Sequence, residues 1–303
     1  MVNELAAWSE QLASAVEMAG QHVVALQNAN NTFAAGILWP HAEGAVVVTA
    51  DHALHQQELR AVVLPDGREV AASVAGRDPG TDIAVVRLAE AVIAPELQHG
   101  QQVWKPGHLA LAVGRSSEAG LTASMGIVSV AAGQWRTWRG GQVDQMLRLD
   151  MSLYPGASGG LVVSGGRALI GMATRGLSRV GSIALPFSTL SRVVEALVSG
   201  GRVVRGYLGV GLQPIALPQH LSQQKYAHGH ILVSVEPQGP AEQAGLMIGD
   251  ILLAIESQVI ADTNGLMEFL DSGSVGKTLT VEFLRGGHLQ TVGVTVGPRP
   301  GKD

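Results

Sequence analysis

Over 303 residues the charges almost balance, with 20 Lys and Arg against 25 Asp and Glu, and no run of like charge occurs. A surface built for phosphate backbones or an anionic membrane is therefore excluded. The absence of cysteine removes disulfides, thiol catalysis and Cys-ligated zinc, while a hydrophobic content of 46% supplies cores for two or three domains.

Residues 1–20 read as an amphipathic helix. Leu5, Trp8, Leu12, Val16 and Ala19 form one stripe that ends at Gly20. The stripe faces either the body of its own subunit or a second subunit. No Lys or Arg precedes Arg60, and Glu10 and Glu17 interrupt the apolar run, so no signal peptide is legible. The expected compartment is the cytoplasm, or the periplasm or another exported location if a leader has been removed. No stretch approaches a membrane span.

From about Gln21 the chain reads as short strands separated by glycine, proline and acidic turns: His22–Gln27, Phe33–Trp39, Ala45–Thr49, Leu59–Leu64, Glu69–Ala75 and Ile83–Leu88. A second series follows at Leu109–Val113, Gly126–Val130, Gln145–Asp150, Leu161–Val163, Leu169–Ala173 and Ser182–Leu185. The equal size of the two series predicts two β units with a cleft between them.

Three signals of chemistry lie in these units. His52 stands just beyond the apolar strand Val46–Thr49, where a loop holds it and it can act as a base. Asp82 directly precedes a buried strand, a costly place for a carboxylate unless a donor such as an imidazole N–H bonds to it. Ser158, in Gly156-Ala157-Ser158-Gly159-Gly160, is presented on a tight turn ahead of the apolar run Leu161-Val162-Val163. The order His, Asp, Ser is that of the chymotrypsin-type triad on a double β-barrel.

These segments resemble more closely the HtrA/Deg serine proteases, in Thr49–His52, Asp78–Val85 and Gly156–Gly160. The resemblance extends through Val113-Gly114, Ser124–Ser129, Leu169–Thr174 and Ile183–Pro186. Ala157 stands where the family has Asn, Leu161 where it has Pro, and Ala35-Gly36 where it has Ser-Gly; the loop Arg115–Glu118 lacks Asn-Pro-Phe-Gly. The resemblance implies a mainly β, chymotrypsin-like double-barrel protease domain over 21–200, a linker at 201–206, an α+β PDZ domain over 207–297 and a tail at 298–303. His52 is then the base, Asp82 its orienting partner and Ser158 the nucleophile, with the N–H groups of Gly156 and Ser158 as the oxyanion hole. Leu153, Ile170, Ser182, Ile183 and Ala184 are the expected walls of the primary specificity pocket. They carry no carboxylate, which points to cleavage after small or medium aliphatic residues.

Trp135-Arg136-Thr137-Trp138-Arg139 has the alternation of a nucleic-acid stacking surface, but the acidic balance argues against it. In the resemblance this region is the loop that senses the PDZ domain or a neighbouring subunit. Ser188–Ser199 reads as a helix stopped by Gly200-Gly201. Tyr207-Leu208-Gly209-Val210 resembles the PDZ loop that grips a peptide C-terminus, with Leu266, Met267 and Leu270 as the pocket wall or as plain core. Between them the pattern gives strand Ile231–Val235, helix Pro240–Ala244, strand Ile251–Ile255, helix Thr263–Leu270 and the hairpin Lys277–Leu284 with Leu289–Val296. Gly276-Lys277-Thr278 is no P-loop, because Asp271 occupies the first-glycine position and a strand follows. His220, His228 and His230 lack an acidic partner at motif spacing, and His55 beside His52 makes no better case. No metal or other cofactor is expected.

Two functions follow. The first, which the resemblance implies, is an ATP-independent serine endopeptidase that cuts unfolded or damaged proteins, its PDZ domain binding peptide C-termini and regulating activity, in a homotrimer that includes the N-terminal helix. The second is a non-catalytic or latent protease-fold scaffold or chaperone that binds peptides through its PDZ domain.

Overall fold

The computed structural model describes residues 2–28, 33–41, 44–54, 59–97, 102–116, 120–178, 181–217, 226–260, 263–270 and 272–300. The chain divides into two units, Met1–Val203 and Val204–Asp303.

In the first unit, helix α1 (Val2–Gly20) precedes β1 (Val23–Asn28), β2 (Phe33–His41), β3 (Gly44–Ala50), β4 (Leu59–Val63), β5 (Glu69–Asp78) and β6 (Ile83–Leu88). These six strands close as an antiparallel barrel in the order β1-β2-β3-β6-β5-β4. Next come β7 (Leu109–Ser116), β8 (Gly120–Ala132), the two short strands β9 (Trp135–Arg136) and β10 (Gln142–Val143), then β11 (Met146–Asp150), β12 (Leu161–Ser164), β13 (Leu169–Thr174) and β14 (Ser182–Pro186). Strands β11-β14-β13-β12-β7-β8 close a second barrel.

Several strands are apolar on both faces, because each barrel wall has two apolar neighbours. In β3, Ala45 and Val47 enter the interior of the first barrel. Alternate residues Val46, Val48 and Ala50 point the other way, into a core that also takes Leu111, Val113, Leu161, Met172, Ile183 and Leu185 from the second barrel. The period of two thus sends successive residues to different cores, and a polar alternation never develops. Each fully buried Val or Leu contributes about 1.5–3 kcal/mol, so a charge at Val48 would lose that and add an unpaired buried ion.

Helix α2 (Phe187–Gly200) closes the unit. Leu190, Val193, Val194 and Leu197 lie on its buried face, at the spacing of a 3.6-residue period. Gly201, at φ 69°, donates its N–H to the Leu197 carbonyl and ends the helix, as a left-handed glycine cap does. In α1 the stripe divides. Ala15 and Ala19 are fully buried and Leu12 and Val16 pack on the common core, whereas Leu5 and Trp8 stay exposed. Arg115 fixes the end of the helix by donating from Nε to the Val23 carbonyl at 2.7 Å and from Nη2 to the Gly20 carbonyl at 2.9 Å.

In the second unit, β15 (Gly206–Tyr207), β16 (Val210–Ala216), β17 (His228–Val235), helix α3 (Pro240–Gln243), β18 (Ile251–Ile255), β19 (Gln258–Val259), helix α4 (Thr263–Glu268), β20 (Thr278–Arg285), β21 (His288–Thr295) and β22 (Gly297–Pro298) follow in order. The main sheet runs β16-β17-β18-β20-β21, which leaves one edge of β16 unpaired among the described residues. This unit has its own core of Leu208, Leu232, Leu246, Leu252, Ile255, Leu266, Leu270, Val281, Phe283 and Val294, among others. Several strands exceed what the sequence pattern marks, β8 and β16 most of all. β8 starts at Gly120 and not Gly126, since Gly120–Ile127 pairs with β7 as one long hairpin before the rest of the strand pairs with β11. β16 continues beyond Val210 to Ala216, although Pro214 reads as a strand breaker; at a sheet edge its missing N–H costs no ladder bond.

Candidate active site

His52 lies on a single 3₁₀ turn, Asp51–Leu54, at the end of β3. Asp82 lies at the start of β6, and β3 pairs with β6 so that Ala50 faces Ile83. That register brings the two side chains together. The His52 Nδ1 stands 2.8 Å from Asp82 Oδ2 and 3.1 Å from Oδ1, and the His52 backbone N–H donates to Oδ1 at 2.9 Å. Asp82 is 1% exposed while the imidazole is 35% exposed, so the carboxylate is enclosed and the ring reaches the surface. With Nδ1 engaged, Nε2 is the ring nitrogen left for other chemistry.

Two residues that sequence reasoning passed over complete this pair. Thr174, at the end of β13 and fully buried, donates its hydroxyl to Asp82 Oδ2 and accepts the Gly176 N–H at 2.9 Å. Gly176 packs so closely on the pair that a Cβ there would stand 2.5 Å from Asp82 Oδ2 and 2.6 Å from His52 Nδ1. Only glycine fits. A polar residue ending an otherwise apolar strand, followed by Arg-Gly, was the available signal for Thr174.

The Ser158 turn is built from backbone bonds. Ala157 donates to the Tyr154 carbonyl at 3.0 Å, Gly159 to Ala173 at 2.8 Å and Gly160 to Ala157 at 3.0 Å. The Gly156 carbonyl accepts from Ala35 of β2 at 2.8 Å, which ties the turn to the first barrel. Gly159 has φ 90°, and a side chain there would collide with the Ala35 carbonyl, Thr49 Oγ1 and the Ala50 nitrogen. Ser158 is thereby held beside the end of β3 that leads into His52. Among the described residues the N–H groups of Gly156 and Ser158 have no acceptor, and the Ser158 hydroxyl makes no hydrogen bond. His52, Asp82 and Ser158 therefore share one end of the two barrels, and free donors flank the serine.

The five pocket residues are all buried. Leu153, Ile170 and Ala184 meet Ala157 in the interior of the second barrel, whereas Ile183, one position along β14, faces the core between the barrels; Ser182 follows the alternation of Ala184. Trp135 is partly buried against that common core. Trp138 is exposed, with the Arg139 guanidinium 4.5 Å above its ring. The base of this loop packs on the first barrel, since Thr137 Oγ1 donates to the Gly80 carbonyl at 2.6 Å. His55, Ser117, Glu118, His220 and Asp271 lie outside the described residues.

In the second unit the segment Tyr207-Leu208-Gly209-Val210 forms a turn at the head of the edge strand β16. Its Leu208 carbonyl accepts from Ala241 and its Gly209 carbonyl from Glu236, each at 2.8 Å. Leu208, Leu266 and Leu270 are buried in the core, and Val210 and Met267 are partly buried against it. The described residues contain no helix long and apolar enough to cross a membrane.

Residues 34–172 match the family of trypsin-like peptidase domains, and residues 206–296 match PDZ domains. The chain is 30% identical over 274 residues to a probable periplasmic DegP-like serine endoprotease of Brucella suis biovar 1 (strain 1330), covering 86% of this chain and 52% of that protein. It is 29% identical over 289 residues to a protein of the same description from Marinomonas sp. (strain MWYL1), covering 93% and 60%. The chain thus spans about half the length of the curated relatives it matches. Their names say periplasmic, so the cytoplasmic expectation gains no support from them. Among solved structures, the HtrA-type protease AlgW with decapeptide superposes with a TM-score of 0.77 at 26% identity, covering 96% of this chain and 99% of that one. The serine endoprotease from Yersinia pestis superposes with a TM-score of 0.76 at 27% identity, covering 95% and 98%. With its two closed barrels, its second unit and these likenesses, the chain is a trypsin-like peptidase domain followed by a PDZ domain, and it is similar over nearly its whole length to HtrA-type proteases.

Proposed function

We propose that the protein is an ATP-independent serine endopeptidase that cuts unfolded chains by acyl transfer from Ser158 to water. The observation that carries this reading is the His52–Asp82 pair, with Nδ1 on the carboxylate at 2.8 Å and Nε2 left for a serine proton. A serine hydroxyl is a weak nucleophile near neutral pH, so His52 takes its proton during attack and returns it to the leaving amine. Asp82 fixes the tautomer and balances the imidazolium that forms. The unengaged N–H groups of Gly156 and Ser158 receive the developing oxyanion, an interaction worth roughly 3–4 kcal/mol per donor. The missing serine–histidine hydrogen bond is the looseness that such sites lose when substrate binds.

Leu153, Ile170, Ser182 and Ala184 are the proposed walls of the pocket beside the serine, which takes small or medium aliphatic side chains, while Ile183 belongs to the core between the barrels. The second unit binds peptide C-termini by adding them as a strand to the open edge of β16, with the carboxylate at Tyr207–Val210 and Met267 at the wall. The exposed Leu5 and Trp8 of α1 are the proposed contact between subunits of a homotrimer, which light scattering tests as a mass three times 31.5 kDa. The relatives' names favour an exported compartment, which cell fractionation checks.

The experiment is degradation of casein by the intact protein, with and without a hydrophobic C-terminal peptide, beside the Ser158→Ala variant. Cleavage by the parent protein alone supports the reading. No cleavage by either, with suppression of aggregation by both, supports the latent scaffold in its place.

A further inference from the structure

His52 rides on a one-turn 3₁₀ helix, which has too few internal hydrogen bonds to fix a side chain by itself. What orients it comes from two neighbouring strands. The Asp51–His52 peptide is held at both polar ends: its N–H donates to Asp82 Oδ1 at 2.9 Å, and its carbonyl accepts from Arg77 Nη2 at 2.9 Å. Arg77 also donates from Nε to Asp51 Oδ1 at 2.5 Å, so the planar guanidinium spans the side chain and the backbone of one residue. Arg77 pairs with Ala84 in the β5–β6 ladder, and Ala84 lies two positions beyond Asp82. Both grips therefore come from the same pair of strands. The Asp51 N–H adds a third tie, to the Asp82 carbonyl at 3.2 Å.

We propose that Arg77 is a positioning residue for His52, acting through the Asp51–His52 carbonyl more than through its ion pair with Asp51; this rests on the protease reading above. The Arg77 side chain is 39% exposed and Asp51 6%, so the pair is screened from the arginine side, and Asp51→Asn removes its charge while leaving the carbonyl bond in place. The carbonyl bond is not replaceable. Turning that peptide about its long axis swings the His52 Cβ, and a displacement near 1 Å costs on the order of 100-fold in rate. Asp51→Asn keeps the carbonyl and an acceptor for Nε, and so keeps the orientation.

The test compares Arg77→Ala, Arg77→Lys and Asp51→Asn in the full chain, with Arg68→Ala as control, because among the described residues Arg68 pairs only with exposed Asp66 and Glu90. Initial rates on an unstructured peptide give kcat and KM, and melting curves report the fold. Arg77→Ala is expected to lower kcat roughly 10- to 100-fold with KM within about twofold of the parent. Asp51→Asn and Arg68→Ala are expected to keep kcat within about threefold. Arg77→Lys, which retains the charge without the fork, falls between Arg77→Ala and Asp51→Asn; if the alanine variant does not fold, a lysine variant slower than Asp51→Asn carries the proposal. Parent-like kcat in Arg77→Ala, equal losses in Arg77→Lys and Asp51→Asn, or an effect confined to KM overturns it. A parent protein that neither cuts peptide nor takes a fluorophosphonate probe sinks the protease reading itself, an outcome distinct from a working parent with an unaffected Arg77 series.

Discussion

Asp82 holds a left-handed backbone conformation, φ 57°, that side-chain-bearing residues seldom adopt. The turn before it explains how. Asp78 accepts from the Thr81 hydroxyl at 2.6 Å and from the Gly80 and Thr81 N–H groups, which locks residues 78–81 and delivers Asp82 to the cleft in one orientation. Backbone strain of this kind persists where surrounding bonds over-determine it, as three donors do at the Asp82 carboxylate. Thr174 is one of them. Thr174→Ala removes one of the three donors that orient the Asp82 carboxylate, so kcat should fall roughly tenfold through misplacement of the pair, with recovery in Thr174→Ser. Unchanged steady-state rates in the alanine variant would make the contact merely structural. His52, Asp82 and Ser158 were legible because each sits in a local motif. Thr174 was not, because its partner lies 92 residues away and only the β-barrel brings them together.

At the junction of α1 and β1, a buried histidine couples the fold to pH. His22 is buried there, its Nδ1 has no hydrogen-bond partner among the described residues, and burial holds its imidazole below the ordinary 6.5. In the unfolded chain the ring protonates near pH 6.5, while in the fold it stays neutral to lower pH. The unfolded state thus binds more protons, and the stability His22 contributes is present above 6.5 and lost as pH falls through the folded value. Melting temperature measured from pH 7.5 to 5.5 should drop less in His22→Leu than in the parent; parallel curves would refute the assignment. The helix itself follows from its apolar spacing. Which half would dock did not, since Leu5 and Ala19 share one stripe and only the position of the barrels leaves the first two turns overhanging.

At the scale of the whole molecule, each unit carries its own core, and the second encloses the carboxylate of an ion pair. Arg285 donates from Nε and Nη2 to the two oxygens of the buried Asp250 carboxylate and from Nη2 to the Gly245 carbonyl, at 2.7–2.8 Å. Arg285→Ala leaves that carboxylate without its cation and with the Met247 N–H as its remaining donor among the described residues, so residues 204–303 should melt at lower temperature while residues 1–203 do not change; one shared shift in both transitions would contradict this. The double barrel was legible in two series of short apolar runs of equal number. The sequence pattern alone did not reveal that alternate residues of one strand serve two cores, because apolar residues on both faces erase the period of two. The account as a whole turns on Ser158. Mass spectrometry of the intact protein after a fluorophosphonate probe should find one adduct, on Ser158, that is absent in Ser158→Ala and strongly reduced in His52→Ala; an unlabelled parent, or an adduct that survives in Ser158→Ala, would contradict it.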